Sequence, residues 1–355
     1  MRYLSPMASK PHITAAAVAK GIAARSLMRL PLPVIRKLAG PPIRIDGKTL
    51  DPEMQLLLKL QKLDGPAVET LPISKARRTI LEGSALVGGH LPIGAVTDRT
   101  IDGPSGKLPL RFYTPRGMSG AAPALFFIHG GGWIYGDLES HDATCRFLAE
   151  EAQVRVIAVD YALGPEAPFP AGYDDVWSAY QWIVNNAQGI GVDVDRLAVG
   201  GDSAGSNLAA IIAQTAVRES FHSPRFQLLI YPATDFVEER PSRQTFADGF
   251  FLTKGFMDGA SGHYLVGNED PADPRLSPIR HSVKGVAPAY VVTAGFDPLL
   301  DEGKDYADKL REAGVAVEYV CEEGLIHSFA NMVSLGRSAP KAMRRAAAAL
   351  QRGVS

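Results

Sequence analysis

The stretch Leu197-Ala198-Val199-Gly200-Gly201-Asp202-Ser203-Ala204-Gly205 decides the fold, because its character changes within nine residues. Residues 197–200 form an apolar run suited to a buried strand. Residues 201–205 are small side chains gathered around one hydroxyl. Asn207-Leu208-Ala209-Ala210-Ile211-Ile212-Ala213 then carries a helical pattern. Strand, tight turn and helix make the setting in which a G-x-S-x-G turn holds its serine out at the apex. Gly201 and Gly205 leave room for neighbouring backbone, and the helix that follows points its positive dipole end at Ser203.

Outward from this turn, strands and helices alternate. Residues 96–101 and 108–113 read as a hairpin, with Asp102-Gly103-Pro104-Ser105-Gly106 as its turn. Continuous apolar runs at 124–129, 154–160, 226–231, 289–294 and 315–320 predict further strands. Helical patterns occupy 144–152, 173–186, 300–313 and 341–351. Strands that are apolar throughout, alternating with helices, imply an α/β fold with a mostly parallel sheet covered on both faces.

Two regions stand outside this alternation. Residues 1–85 precede any predicted strand and read as helical, broken at Pro31-Leu32-Pro33 and Pro41-Pro42. Within them, Asp51-Pro52-Glu53 predicts a helix start, with Asp as cap and Pro at the first helical position. Met54, Leu56, Leu57, Leu58, Leu60 and Leu63 give that helix its apolar face, and Asp64-Gly65-Pro66 ends it. A further helix is expected from Ser74 through Ile80 and Leu81. The second region separates Tyr231 from Ala289 and offers no convincing strand. Residues 253–265 read there as a helix carrying Phe256, Met257 and Tyr264, and an insertion of this length suggests a lid or substrate-binding element.

Composition narrows the class. The chain has 355 residues, 46% hydrophobic and 21% charged, as in an ordinary globular protein with a sizeable core. A formal net charge of -1 gives no nucleic-acid footprint. Cys145 and Cys321 are too few for a disulfide framework and fit a reducing, cytoplasmic setting. No apolar window is long enough to span a bilayer. Residues 1–44 hold Arg2, Lys10, Lys20, Arg25, Arg29, Arg36, Lys37 and Arg44 with no acid. Lys20 and Arg25 interrupt the apolar core that a secretory signal would need. A weak contact of this basic segment with an anionic lipid surface is one reading; a solvated helix face packed through Ile22, Leu27, Met28 and Leu30 is the other.

A serine at such a turn needs a base, an orienting acid and donors for a developing oxyanion. His129-Gly130-Gly131-Gly132-Trp133 closes the strand at 124–129 with three glycines whose N–H groups can turn toward a ligand. Gly131, Gly132 and Ala204 are the expected oxyanion donors, in a hole where one donor is worth ~2.7–4 kcal/mol in the transition state. His129 is read as a support for this loop. After Ser203 the histidines are His222, His263, His281 and His327. His327, in the loop after the last strand, is the base; His222 and His281 are expected in exposed loops, and His263 in the insertion helix. Asp297 follows the strand at 289–294 and is the acid. Asp301 and Glu302 fit better as first-turn acids of the next helix. The constellation is that of a Ser-His-Asp hydrolase acting on a small-molecule ester, without cofactor or metal. An amidase would use the same triad, as would a lipase-like enzyme. A non-catalytic receptor on such a scaffold would not need His327, Asp297 and the glycine loop together.

With these residues in hand, the chain resembles the bacterial hormone-sensitive-lipase-like (family IV) esterases, the α/β-hydrolase subfamily with a GDSAG elbow. The matching pieces are His129 to Trp133, Gly136-Asp137, Gly201 to Gly205, Asp297-Pro298-Leu299-Leu300-Asp301-Glu302 and Gly324 to Phe329. The resemblance implies an eight-stranded sheet with a helical cap, hydrolysis of short- to medium-chain acyl esters, and a possible homodimer. It places the cap in residues 1–88 and in an insertion at 236–285, within a catalytic domain of 89–355. Candidate pocket walls are Trp133, Tyr135, Phe250, Phe251, Met257 and Phe329. Two departures stand out: Tyr161-Ala162-Leu163-Gly164-Pro165-Glu166 replaces the family's Tyr-Arg-Leu-Ala-Pro-Glu, and Ser206 stands where many members carry glycine.

Overall fold

The computed structural model describes residues 14–62 and 65–355; Arg2, Lys10, Leu63 and Asp64 lie outside them. Four helices come first: α1 (Ala15–Met28), α2 (Leu32–Ala39), α3 (Pro52–Gln61) and α4 (Ile73–Gly88). α3 begins as its sequence predicts: the Glu53 N–H donates to the Asp51 carboxylate at 2.8 Å, and Pro52 opens the helix. The segment is not wholly helical, however. A ribbon of two-residue strands pairs Arg44–Ile45 with Lys48–Thr49. Asp46 and Gly47 form its turn, both at positive φ (49° and 77°), as a tight hairpin of this kind requires.

Eight strands follow: β1 (Ala95–Gly103), β2 (Gly106–Thr114), β3 (Ala122–Ile128), β4 (Arg155–Val159), β5 (Val192–Asp202), β6 (Phe226–Ile230), β7 (Ala289–Phe296) and β8 (Val317–Ile326). They form one sheet in the order β8-β7-β6-β5-β3-β4-β2-β1. Only β1–β2 and β2–β4 are antiparallel. The hairpin turn is tighter than the sequence suggests, since Gly103 pairs with Gly106 and leaves only Pro104-Ser105 between.

The remaining helices are α5 (Asp142–Ala152), α6 (Ala171–Asn185), α7 (Ala204–Arg218), α8 (Pro241–Thr245), α9 (Lys254–Tyr264), α10 (Leu300–Glu312) and α11 (Ser338–Gly353). Side-chain alternation along each strand feeds two cores. From β3, Leu125 and Phe127 join the layer built on α5 and α11, while Phe126 and Ile128 join the layer of α6, α7 and α10. Both faces are covered, which is why the strands read as unbroken apolar runs. The outer edge of β8 is covered near its end: the Asp51 N–H donates to the Gly324 carbonyl at 2.9 Å, which blocks pairing there. Among the described residues no helix is long and apolar enough to cross a membrane.

The strand order reverses between β3 and β5. In open α/β sheets that crevice, at the carboxyl ends of the strands, is where ligands bind. The loop after β3 and the turn after β5 meet there, and the loops after β7 and β8 reach it from one side.

Candidate active site

Ser203 occupies the single residue between the end of β5 and the start of α7. Its φ of 55° and ψ of -121° lie in a region that non-glycine residues rarely adopt. Such strain persists only where the surroundings fix it. Here the Ser203 N–H is tied to the Ile230 carbonyl of β6 at 2.9 Å. Ser206, the departure from the family's glycine, adds to this: its hydroxyl donates to the Gly201 carbonyl at 2.6 Å and accepts from the Ile230 N–H at 2.8 Å. The serine at 206 therefore staples the turn to β6, a role that glycine could not fill.

The structure brings the three polar side chains singled out above into one line. His327 Nε2 lies 3.0 Å from Ser203 Oγ, and His327 Nδ1 lies 2.7 Å from Asp297 Oδ2. Asp297 is fully buried and His327 only 4% exposed, so the imidazole is screened from competing water. The other Asp297 oxygen accepts from the Leu299 N–H at 2.9 Å, which fixes the carboxylate's orientation. The other histidines lie elsewhere. His222 and His281 are half-buried, not exposed as their polar flanks suggest, because each ring spends Nε2 on a backbone carbonyl, of Val194 and Ala272 respectively. His263 is exposed at the end of α9. Asp301 and Glu302 do occupy the first turn of α10.

The glycine loop after β3 turns through positive φ at Gly131 (114°), Gly132 (62°) and Trp133 (62°). No hydrogen bond within the described structure uses the Gly131 or Gly132 N–H. The loop is anchored from below. The Gly130 N–H donates at 2.9 Å to Asp202, the residue beside Ser203, and His141 Nε2 lies 3.2 Å from the same carboxylate. Burial pushes the Asp202 carboxyl up, but the His141 charge, its hydrogen bond and the Gly130 N–H outweigh this and hold it below the usual range. His129 supports the loop, as its position suggests. Its ring stacks on Tyr161 at 4.3 Å, and the Tyr161 hydroxyl donates to the His129 carbonyl at 2.9 Å. Burial first, then the neighbouring His141, pushes the His129 pKa down to about 4.

A cavity of about 60 Å³ opens on Ser203. Gly132 and Trp133 bound it on one side, and Phe236, Arg243, Leu252 and Leu299 on others. Phe256, Met257, Ala260 and Ser261 of α9 close it. Trp133 and Met257 thus line the cavity as expected. The other four pocket candidates do not. Tyr135 sits behind Phe256, ring centroids 5.3 Å apart. Phe250 packs on Phe246 and Phe296 in the core. Phe251, at φ 79°, turns outward and is 40% exposed. Phe329 is fully buried edge-on against Tyr231. The α9 spacing 256, 257, 260, 261 is one helical face, and small Ala260 in it is the signal that could have pointed to a close approach. Arg243 was missed because its position depends on Glu302, which is fully buried and takes the guanidinium at 2.8 Å.

No described residue of 1–88 is among those lining the cavity. Two residues of that segment instead hold the lining in place. Glu69 accepts from Thr253 Oγ1 at 2.6 Å at the start of α9. Arg77 of α4 donates to the carbonyls of Ile134 and Gly164 at 2.9 and 2.8 Å. Gly164, the second family departure, lies against the end of α9: a Cβ there would come within 2.6 Å of the His263 carbonyl. The glycine lets the insertion settle closely onto this loop.

A sheet of this order, with a strand–turn–helix serine at its switch point, is the architecture of the α/β hydrolases. The family model of the alpha/beta hydrolase fold matches residues 125–331, and the chain belongs to that family, among its carboxylic ester hydrolases. It is 44% identical over 320 residues to the carboxylic ester hydrolase LipN of Mycobacterium tuberculosis, covering 86% of this chain and 84% of LipN. It is 38% identical over 318 residues to the ethyl acetate hydrolase of Pseudomonas putida, covering 85% and 99%. Among solved structures, an α/β hydrolase from the metagenome of Lake Arreo, Spain, superposes with a TM-score of 0.83 at 41% identity, covering 85% of this chain and 98% of that one.

Proposed function

We propose that this chain is a serine carboxylesterase for esters with small acyl and alcohol groups, and that Ser203, His327 and Asp297 are its triad. The observation that carries the reading is the 3.0 Å approach of His327 Nε2 to Ser203 Oγ at the mouth of the cavity. Ser203 Oγ attacks the ester carbonyl carbon while His327 Nε2 takes its proton. Asp297 holds the Nδ1–H and stabilises the imidazolium. The carbonyl oxygen, now negative, is received by the N–H groups of Gly131, Gly132 and Ala204. Collapse of the tetrahedral intermediate breaks the bond to the alcohol oxygen, which leaves with the proton from His327. Water, deprotonated by His327, then attacks the acyl-enzyme; the acid departs and Ser203 regains its proton.

The insertion at 236–285 acts in this reading as the cap that sizes the substrate, with Glu69 and Arg77 bracing it. The small cavity under α9 supports short acyl chains. A p-nitrophenyl ester series from acetate to laurate on wild type and Ser203→Ala tests the proposal. Turnover is expected to be greatest for the shortest chains and to vanish in Ser203→Ala. Undiminished hydrolysis by Ser203→Ala overturns the mechanism, and a maximum at laurate overturns the size reading.

A further inference from the structure

Ten large apolar side chains are more than a third exposed among the described residues, and six of them lie in residues 18–43. Val18 and Ile22 stand four residues apart on α1, at 49% and 56% exposure. Val34 and Leu38 repeat that spacing on α2, each 40% exposed, and Leu30 and Ile43 flank them. Residues four apart share a helix face. The adjoining face of α2 is spent on the core, where Ile35 and Ala39 are buried. The outward stripe is therefore surplus to folding.

The same segment is basic throughout. Residues 14–45 carry six Lys and Arg side chains and no acid. Eight of the 37 bases and none of the 38 acids fall in residues 1–44, so residues 45–355 carry a net charge of -9. In the sequence, the positive charge that no acid balances falls in the segment that carries the exposed apolar side chains.

The stripe is held rigidly. Arg25 donates to the Leu86 carbonyl at 2.6 Å, pinning α1 to α4. Arg337 donates to the carbonyls of Met28, Arg29 and Leu30, and Lys59 to that of Leu38 at 2.9 Å. A face of this composition that needs no reorganisation loses little entropy on docking.

We propose that α1 and α2 form a docking face for an anionic lipid surface, the apolar side chains entering the acyl boundary and the bases meeting the headgroups. Charge selects this occupant. An isologous contact between two copies would set the exposed cations Arg29, Arg36, Lys37 and Arg44 of one against those of the other, whereas an anionic bilayer attracts them. Each basic side chain near such a surface strengthens binding roughly fivefold. The proposal is independent of the esterase mechanism, which it neither uses nor alters.

The test is co-sedimentation of the full chain with vesicles of phosphatidylcholine alone or mixed equally with phosphatidylglycerol, at low and high salt. Wild type is expected in the pellet with the anionic vesicles only, and to leave it as salt rises. Val34→Glu/Leu38→Glu and Arg36→Glu/Lys37→Glu should each weaken binding more than tenfold, with p-nitrophenyl acetate hydrolysis unchanged as the control for folding. Equal binding to both vesicles, no binding to either, or variants that bind like wild type overturns the proposal. So does a gel-filtration dimer that Leu38→Glu splits while vesicle binding is absent, which would assign the stripe to a second copy.

Discussion

Gly132→Ala should separate the oxyanion loop from the cap above it. Gly132 sits at φ 62°, and a Cβ built there would lie 2.9 Å from the Ala260 Cβ and 3.3 Å from the Phe256 ring. Carbon atoms in comfortable contact are ~3.5–4.0 Å apart, so the loop or α9 must yield by about half an ångström or more. Left-handed backbone adds a cost of roughly 1–2 kcal/mol for alanine. An oxyanion donor works within a window of ~2.7–3.1 Å, and losing one costs ~2.7–4 kcal/mol, or about 10²–10³ in kcat. Gly132→Ala is therefore expected to lower kcat about a hundredfold. Ala260→Gly alone should change kcat little, since it only opens space. Combined with Gly132→Ala it should restore at least tenfold, because the closest clash is gone while the φ penalty and Phe256 remain. The assay is steady-state hydrolysis of p-nitrophenyl acetate by both single variants and the double, with thermal melts to confirm folding. A Gly132→Ala enzyme at wild-type kcat, or a double variant no faster than Gly132→Ala, refutes the idea that α9 and the oxyanion loop share this contact.

Two further outcomes follow from buried charge. His129 is neutral in the fold, with a pKa of about 4, whereas an unfolded histidine titrates near ~6.5. Between those values the unfolded chain binds the extra proton, so stability falls as pH drops, by up to ~3 kcal/mol. Urea unfolding from pH 6.5 to 4 should show this slope in wild type and a flatter one in His129→Gln; equal slopes would acquit His129. Arg337→Met strips Glu53, 1% exposed, of a partner at 2.6 Å, leaving it the N–H groups of Arg337 and Ser338. A hydrogen bond to a charged group is worth ~1.5–3 kcal/mol, which lowers the melting temperature by a few degrees. A melt superimposable on wild type would show that the backbone donors suffice for Glu53.

The sheet was legible because its chemistry is local to each strand. Strands β3, β5, β6 and β7 face cores on both sides, so their central stretches, 124–128, 197–200, 228–230 and 289–292, are apolar without a break. β8 was placed less well, at 315–320 instead of Val317–Ile326. It is the edge strand, and Glu318, Glu322 and Glu323 interrupt its apolar pattern. The ribbon at Arg44–Ile45 and Lys48–Thr49 is too short to leave any periodicity. That Ser203, Asp297 and His327 come together was legible from order alone, since each follows a strand and so falls at the same edge of the sheet. The pocket wall was not. Which aromatic residue meets the cavity depends on how α9 is rotated, and that is set by Glu69 and Arg77, far away in sequence. Tyr135, Phe250 and Phe329 are aromatic for the sake of the core, and nothing in their neighbours distinguishes them from Phe256.

Asp202 ties the site together from beneath, apart from its roof. It is the free position of the G-x-S-x-G pattern, yet its carboxylate sets two parts at once. It holds the Gly130 N–H beneath the oxyanion loop, and it precedes the strained serine in the chain. Tyr231 extends the link: its hydroxyl donates to Asp202 at 3.4 Å and accepts from the Ala330 N–H, three residues past His327, at 3.3 Å. Ser203, the glycine loop and His327 thus rest on one buried hydrogen-bonded unit below the cavity. None of its members comes from the insertion. A change in the insertion can therefore resize the cavity while Ser203, His327 and the glycine loop keep their spacing, and under the proposed mechanism it should alter substrate range and leave the chemistry intact.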